Sequence, residues 1–392
     1  MPATGLQRRA GAGMLATMLL AGCGPAATKG AASTHSSAPG AAAKSSGTSA
    51  AAAAGPIPTY LDMLSAQDGW GTGPGIYVTQ DGGTAWKTVT PPNTHAQWPQ
   101  FPDELAAPDA NTAWVVGQLS QGVVLYRTAD AGAQWQAVTL PKVDVSLNGL
   151  HFTSYTGAAI AATSSQDAWL LLILAQAAGT EYAEIYHTTT GGARWSAMGP
   201  WVGGDTTAMG IQSPTSLWLG QYEAFTTAAA PVSHSTDAGA TWQSIALPVP
   251  KAYQQNSFGT LQPEFFSVED GIVPVLPGVS PTVLVFDTTT NGGKTWTPGT
   301  PLVVHTIKQV YGFADALHGW VATGQELLAT QNGGQQWQVV VPKSRAPAPQ
   351  DVQQLDFVSA TTGWAVASAG GTSQLWRTQD GGATWTELGT TS

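Results

Sequence analysis

The chain has 392 residues, with 24 Asp and Glu against 14 Lys and Arg, a formal net charge of −10 and only 10% charged residues. That balance excludes the cationic footprint through which nucleic-acid binders release counterions, and it disfavours direct contact with an anionic membrane surface. A single cysteine excludes an intrachain disulfide.

At the N-terminus, Arg8 and Arg9 precede a short apolar run over residues 10–20, which leads into Leu20-Ala21-Gly22-Cys23. The run is too short for a permanent span and has the layout of a signal peptide. Leu-Ala-Gly-Cys resembles the bacterial lipobox, which implies cleavage before Cys23 and attachment of lipid to its thiol. Residues 1–22 are therefore read as a lipoprotein signal and the mature protein as anchored outside the cytoplasm, with Arg8-Arg9 leaving both Sec and twin-Arg export open. Residues 23–56, mostly Ala, Ser, Gly and Thr, have too little apolar surface to fold and predict a flexible tether.

From residue 57 to 390 one pattern recurs seven times: Thr/Ser-x-Asp/Asn-x-Gly-x-x-Trp. In chain order the boxes hold Asp81 and Trp86, Asp130 and Trp135, Thr190 and Trp195, Asp237 and Trp242, Asn291 and Trp296, Asn332 and Trp337, and Asp380 and Trp385. Successive tryptophans are 49, 60, 47, 54, 41 and 48 residues apart, the period of a propeller blade. Asp or Asn followed by Gly predicts a tight turn, and an apolar residue three before each box marks an entering strand: Ile76, Leu125, Ile185, Val232, Phe286, Leu327 and Leu375. An apolar residue three after each tryptophan marks a leaving strand, with Gly299 the exception. Thr190 lacks a carboxylate or amide, which predicts a looser third turn.

A second element precedes each box, a turn followed by a tryptophan: Trp70, Trp114, Trp169, Trp218, Trp320 and Trp364, with Ile272 in the fifth copy. Each unit thus reads strand A, turn, strand B, loop, strand C, box, strand D. The expectation is an all-β fold, a single seven-bladed β-propeller of four-stranded antiparallel blades, each from consecutive sequence, closed by packing of blade 7 on blade 1.

The boxes resemble the Asp-box, or BNR, repeats of sialidase-like propellers. The combined pattern of Phe357, Gly363-Trp364, Thr378, Asp380, Gly382, Thr384 and Trp385 is most similar to the photosystem II assembly and stability-factor family, whose blades are shared with sortilin-like domains and xyloglucanases. The resemblance covers about residues 57–390. It implies a non-catalytic interaction or assembly scaffold, but the motif is specific for fold and nearly silent on function. The alternative it leaves open is a carbohydrate-binding or glycoside-hydrolase-type propeller.

Enzyme chemistry finds little support in the residues. A sialidase needs three arginines around a substrate carboxylate, whereas Arg127, Arg194 and Arg377 sit in or beside boxes and Arg345 in a linker. A glycosidase needs two carboxylates flanking the bond, and the near-axis candidates are Asp62, Glu264 and Asp356. The seven histidines show no ligand spacing, so no metal and no cofactor is expected; His187 and His234 hold equivalent places before their boxes. Binding is expected on the face opposite the boxes. There the B–C loops are longest in blades 3 to 5, and the linkers add Trp98, Trp201 and Tyr253. The candidate partner-binding residues are Trp201, Glu223 and Tyr253, with Glu181 and Asp205 nearby, which favours a basic or neutral protein, or a glycan, over an anionic partner.

Overall fold

The computed structural model describes residues 56–92, 96–97, 104–119, 122–177, 180–203, 206–221, 224–227, 230–305 and 310–391, with the backbone alone at 176–177, 206–208, 224–227 and 391. Seven four-stranded antiparallel blades follow one another over 60–88, 105–138, 157–203, 206–247, 257–303, 311–339 and 352–391. No α-helix occurs among the described residues. In blade 7 the strands are Val352–Phe357, Gly363–Ala369, Thr372–Thr378 and Thr386–Thr391, read A to D from the axis outward. The apolar residue that precedes each box by three is buried in all seven blades.

Each box is a hydrogen-bonded knot. The Thr or Ser hydroxyl accepts from the backbone N–H of the box glycine at 2.8–3.0 Å in all seven copies. The Asp or Asn side chain accepts from the N–H four residues on, at 2.7–3.0 Å. Thr190 is not the weak point expected: its hydroxyl accepts from Arg194 N at 3.0 Å, so one oxygen suffices. Only its contact with Thr188 is stretched, to 3.3 Å.

The A–B turns carry a signal easily missed in the sequence. Five residues before strand-B position Trp or Ile stands a Ser or Asp: Ser65, Asp109, Ser164, Ser213, Ser267, Asp315 and Ser359. Each caps its turn by accepting from the N–H three residues on, at 2.8–3.1 Å. A box N–H then donates to an A–B turn carbonyl in every blade at 2.8–3.0 Å, so both turns lie on one face.

Blades are stitched together by indoles. Trp70, Trp114, Trp169, Trp320 and Trp364 each donate Nε1–H to a carbonyl of the next blade, at 2.9–3.2 Å. Trp218 donates instead to Gln212, whose amide reaches Val268 O in blade 5 at 2.7 Å. In blades 1, 2, 3, 6 and 7 the residue three after the box tryptophan packs over the next blade's box glycine, as Val89 does over Gly132 and Leu388 over Gly83, whereas Trp218 covers Gly293 after blade 4. Gly299 explains its own exception, because backbone replaces side chain there: Thr300 N donates to Gly334 O at 2.9 Å. Strand A and strand B are also matched in size. Phe357 lies opposite Gly363, where an added Cβ would come within 2.3 Å of the phenyl ring, whereas Ala162 lies opposite Ala168.

Two features depart from consecutive four-stranded blades. Ala224–Thr227, in the B–C loop of blade 4, pairs with Ser257–Thr260 on the inner edge of blade 5. A hairpin of Val145–Leu147 and Leu150–Phe152 lies between blades 2 and 3, turned by Asn148 and Gly149 at φ 52° and 78°. The ring closes by packing as expected: Leu61, Met63 and Trp86 of blade 1 form one cluster with Trp364, Val366 and Leu375 of blade 7. The leader and tether calls, Cys23 included, lie outside the described residues.

Candidate functional site

On the face opposite the boxes, two of the residues expected at the surface are buried, Trp201 and Glu181. Trp201 is part of the outer strand Ser196–Gly203, is 3% exposed, and packs with Trp169, Ile185 and Leu217 between blades 3 and 4. Its Nε1–H donates to Ser233 Oγ at 3.3 Å. Trp201 is therefore an inter-blade cap, not a surface anchor. Its alternation along a strand decided this, and that strand extends beyond the span legible from the box. Tyr253 ends a single 3-10 turn, Lys251–Tyr253, half-buried against the blade 4–5 core. Glu223, Asp205 and Trp98 lie outside the described residues. Glu181 is fully buried and is no surface charge.

The near-axis carboxylates occupy one homologous position. Asp62, Glu264 and Asp356 pair across the sheet with Trp70, Ile272 and Trp364, where other blades place Ala106, Ala161, Gly210 and Gly312. In that register the side chain faces the next blade. Asp356 Oδ2 accepts from Met63 N at 2.7 Å, and an added Cβ on Gly312 would lie 2.7 Å from Leu355 O. Glu264 is close enough to Tyr311 of blade 6 to help raise its hydroxyl pKa, chiefly a consequence of burial. Asp356 thus works as a strut.

The residues before the boxes have similar duties. Arg127 and Arg377 lie over the rings of Trp114 and Trp364, at 5.6 and 5.3 Å, and donate to Ser165 O and Ala66 O of the following blade. His187 and His234 take the same cross-strand place, stacked on Trp169 and Trp218 at 4.3 and 3.7 Å. His187 Nε2 also bonds Asp167 Oδ1 at 2.6 Å, and His234 bonds Ser216 at 2.8 Å. Burial lowers the His234 pKa and favours its neutral form.

Two of the buried acids have carboxyl groups whose pKa burial raises. Asp287, in strand Val283–Thr289, is wholly buried, and neither carboxyl oxygen has a hydrogen-bond partner; burial pushes its pKa up to about 8. Glu184 is raised in pKa by burial too, against a hydrogen bond from Tyr186. Both strands are buried on both faces around these positions, so no apolar–polar alternation marks them. Among the described residues no group of His, Cys, Asp and Glu is arranged to hold a metal ion.

No protein-family model matches the chain, and no curated sequence matches it. Solved structures share the fold at low identity. A structure of YCF48 bound to D1 peptide is 17% identical with a TM-score of 0.51, covering 81% of this chain and 89% of its own. YCF48 from Cyanidioschyzon merolae is 14% identical with a TM-score of 0.50, covering 82% and 92%. An oligogalacturonate lyase in complex with manganese reaches a TM-score of 0.50 at 6% identity, covering 78% and 82%. At these identities the likeness concerns the fold, which supports binders and enzymes alike.

Proposed function

We propose that this propeller is a non-catalytic scaffold that binds another polypeptide outside the cytoplasm, held at the membrane by lipid on Cys23. The observation that carries the reading is the use made of its charged side chains. Asp356, Arg127 and Arg377, the kinds of residue that would serve catalysis, are spent on hydrogen bonds that join blade to blade. A ring so committed offers a rigid platform. A propeller of the same fold is known with a peptide bound, which supports a polypeptide as the partner class. The glycan-cleaving alternative draws on Asp62, Glu264 and Asp356, one of which is held by Met63.

Crosslinking capture from a cell-envelope extract, with the full chain as bait, tests the reading. Recovery of a discrete protein partner supports it; release of reducing ends from envelope polysaccharide, lost in Asp62→Asn or Glu264→Gln, overturns it. The anchor is tested separately by a fatty-acid probe, whose incorporation should vanish in Cys23→Ala.

A further inference from the structure

Between blades 6 and 7 the structure leaves a cavity of about 290 Å³. Leu327 and Val340 wall it from blade 6, and Val352, Leu355 and Trp385 from blade 7. The connecting segment 342–349 runs over it as a strap. Lys343 N donates to Ala383 O at 2.7 Å, Trp385 N donates to Ser344 Oγ at 3.3 Å, and Arg345 pairs with Glu387 at 2.7 Å while lying over Trp376 at 5.1 Å. These contacts pin the strap to blade 7, and Pro342, Pro347 and Pro349 restrict its backbone. Ala346 lines the cavity from the strap. The space suits one bulky side chain and lies just below the usual range for small-ligand pockets.

The mouth has a definite chemistry. Val339 and Val341 flank it at 50% and 72% exposure and give it an apolar rim, Val341 being the most exposed large hydrophobic among the described residues. The charged side chain of its lining is Glu326, beside Gln325, and both are exposed. The strap's cations are already answered, Arg345 by Glu387 and Lys343 by Asp380, whose pKa it helps to lower. An incoming apolar group that carries a carboxylate therefore meets like charge, and one flanked by cations meets Glu326 and a chain of net charge −10.

We propose that this groove receives one Leu- or Phe-sized side chain of an extended partner polypeptide whose neighbouring residues are basic. The proposal rests on the polypeptide-binding reading above and gives it a place, on blades 6 and 7 instead of blades 3 to 5. Only the side chain enters; the flanking cations stay in water near Glu326.

The test uses the full chain and three fluorescent pentapeptides, Ser-Lys-Phe-Lys-Ser and its versions with Ser for Phe or Glu for both Lys. Fluorescence anisotropy should show the first binding at least about tenfold more tightly than the Ser version, the order expected for burying one aromatic side chain, and a few-fold more tightly than the Glu version, whose charge meets Glu326. Ala346→Phe, which fills the cavity from the strap, should abolish that preference; Glu326→Gln should weaken the Lys peptide a few-fold and leave the cavity intact. Equal binding of all three peptides, absence of binding, or undiminished binding by Ala346→Phe overturns the proposal. If Ala346→Phe lowers the unfolding temperature, Val341→Ser, at an exposed rim position, serves in its place, with weakened Phe-peptide binding expected and unchanged binding overturning the groove. In envelope capture, a partner retained by Ala346→Phe places the site elsewhere while the binding reading stands; a wild-type chain that captures nothing removes the binding reading itself.

Discussion

Gln354 of the last blade holds Leu61 of the first by both ends of its amide. Leu61 N donates to Gln354 Oε1 and Gln354 Nε2 donates to Leu61 O, each at 2.7 Å, across 293 positions of sequence. Both groups are buried, and the backbone partner at each end dictates which amide atom is oxygen. Among the described residues no strand pairs with the inner edge of Tyr60–Met63, and this side chain bonds its backbone there as a strand would. Gln354→Ala should cost on the order of 2–3 kcal/mol, since it leaves a buried donor and acceptor unpaired. Urea unfolding measures it, with Gln379→Ala on an exposed box position as the neutral control. Equal midpoints for the two variants would show that ring closure does not depend on the clasp.

The two classes of tryptophan should separate in stability. Trp364 is fully buried, donates to Gly82 O and lies under Arg377. Trp337 is half-buried, and its indole nitrogen has no acceptor. Trp364→Ala should cost about 3–5 kcal/mol and Trp337→Ala roughly half as much. Reversal of that order in thermal unfolding would assign the box tryptophans the greater weight.

Asp287 makes stability depend on pH in an unusual sense. Its folded pKa, raised to about 8 by burial, lies above its ordinary 3.8, so the folded chain holds a proton that the unfolded chain releases. Unfolding releases that proton between these two values, and stability therefore falls as pH rises, with the loss complete above about 8. Glu184, raised for the same reason, acts in the same direction. Asp287→Asn should flatten the decline between about pH 5 and 8. A slope identical to that of the wild type would mean that the carboxyl is not protonated in the folded state.

Deletion of residues 24–56 should leave the melting temperature within about 5 °C of the intact chain, on the order of 1–2 kcal/mol for a domain of this size. The reason is structural: all four strands of blade 1 lie within 60–88 and all four of blade 7 within 352–391. A larger fall would mean that the preceding segment contributes to the ring.

Trp201→Ala should behave as a core mutation, not a binding mutation. With the ring 3% exposed and bonded to Ser233, truncation should cost about 3 kcal/mol. Partner capture at a temperature where the variant stays folded should be unchanged. Lost capture with an unchanged melting temperature would return Trp201 to the surface role that its position in a linker suggested.

The repeat alone carried the architecture. Seven boxes at a blade-length period, each with an apolar residue three positions to either side, specify hairpins whose number and order leave one closed arrangement. Seven copies of one turn mean seven repetitions of the same local chemistry, and local hydrogen bonds are readable from adjacent letters. Even the Ser or Asp that caps each A–B turn was present as a fixed offset, waiting to be noticed. What local order could not determine was which side chains face a neighbouring blade. Trp201 and Glu181 read as surface residues and are buried, because the outer strands of blade 3 run longer than the motif. Asp356 read as a channel acid and serves as a strut, because its acceptor role exists only once Met63 of blade 1, 293 positions away, lies beside it. The groove under residues 342–349 likewise has no signature in sequence. It arises where two blades and a proline-rich strap meet, and only the closed ring brings them together.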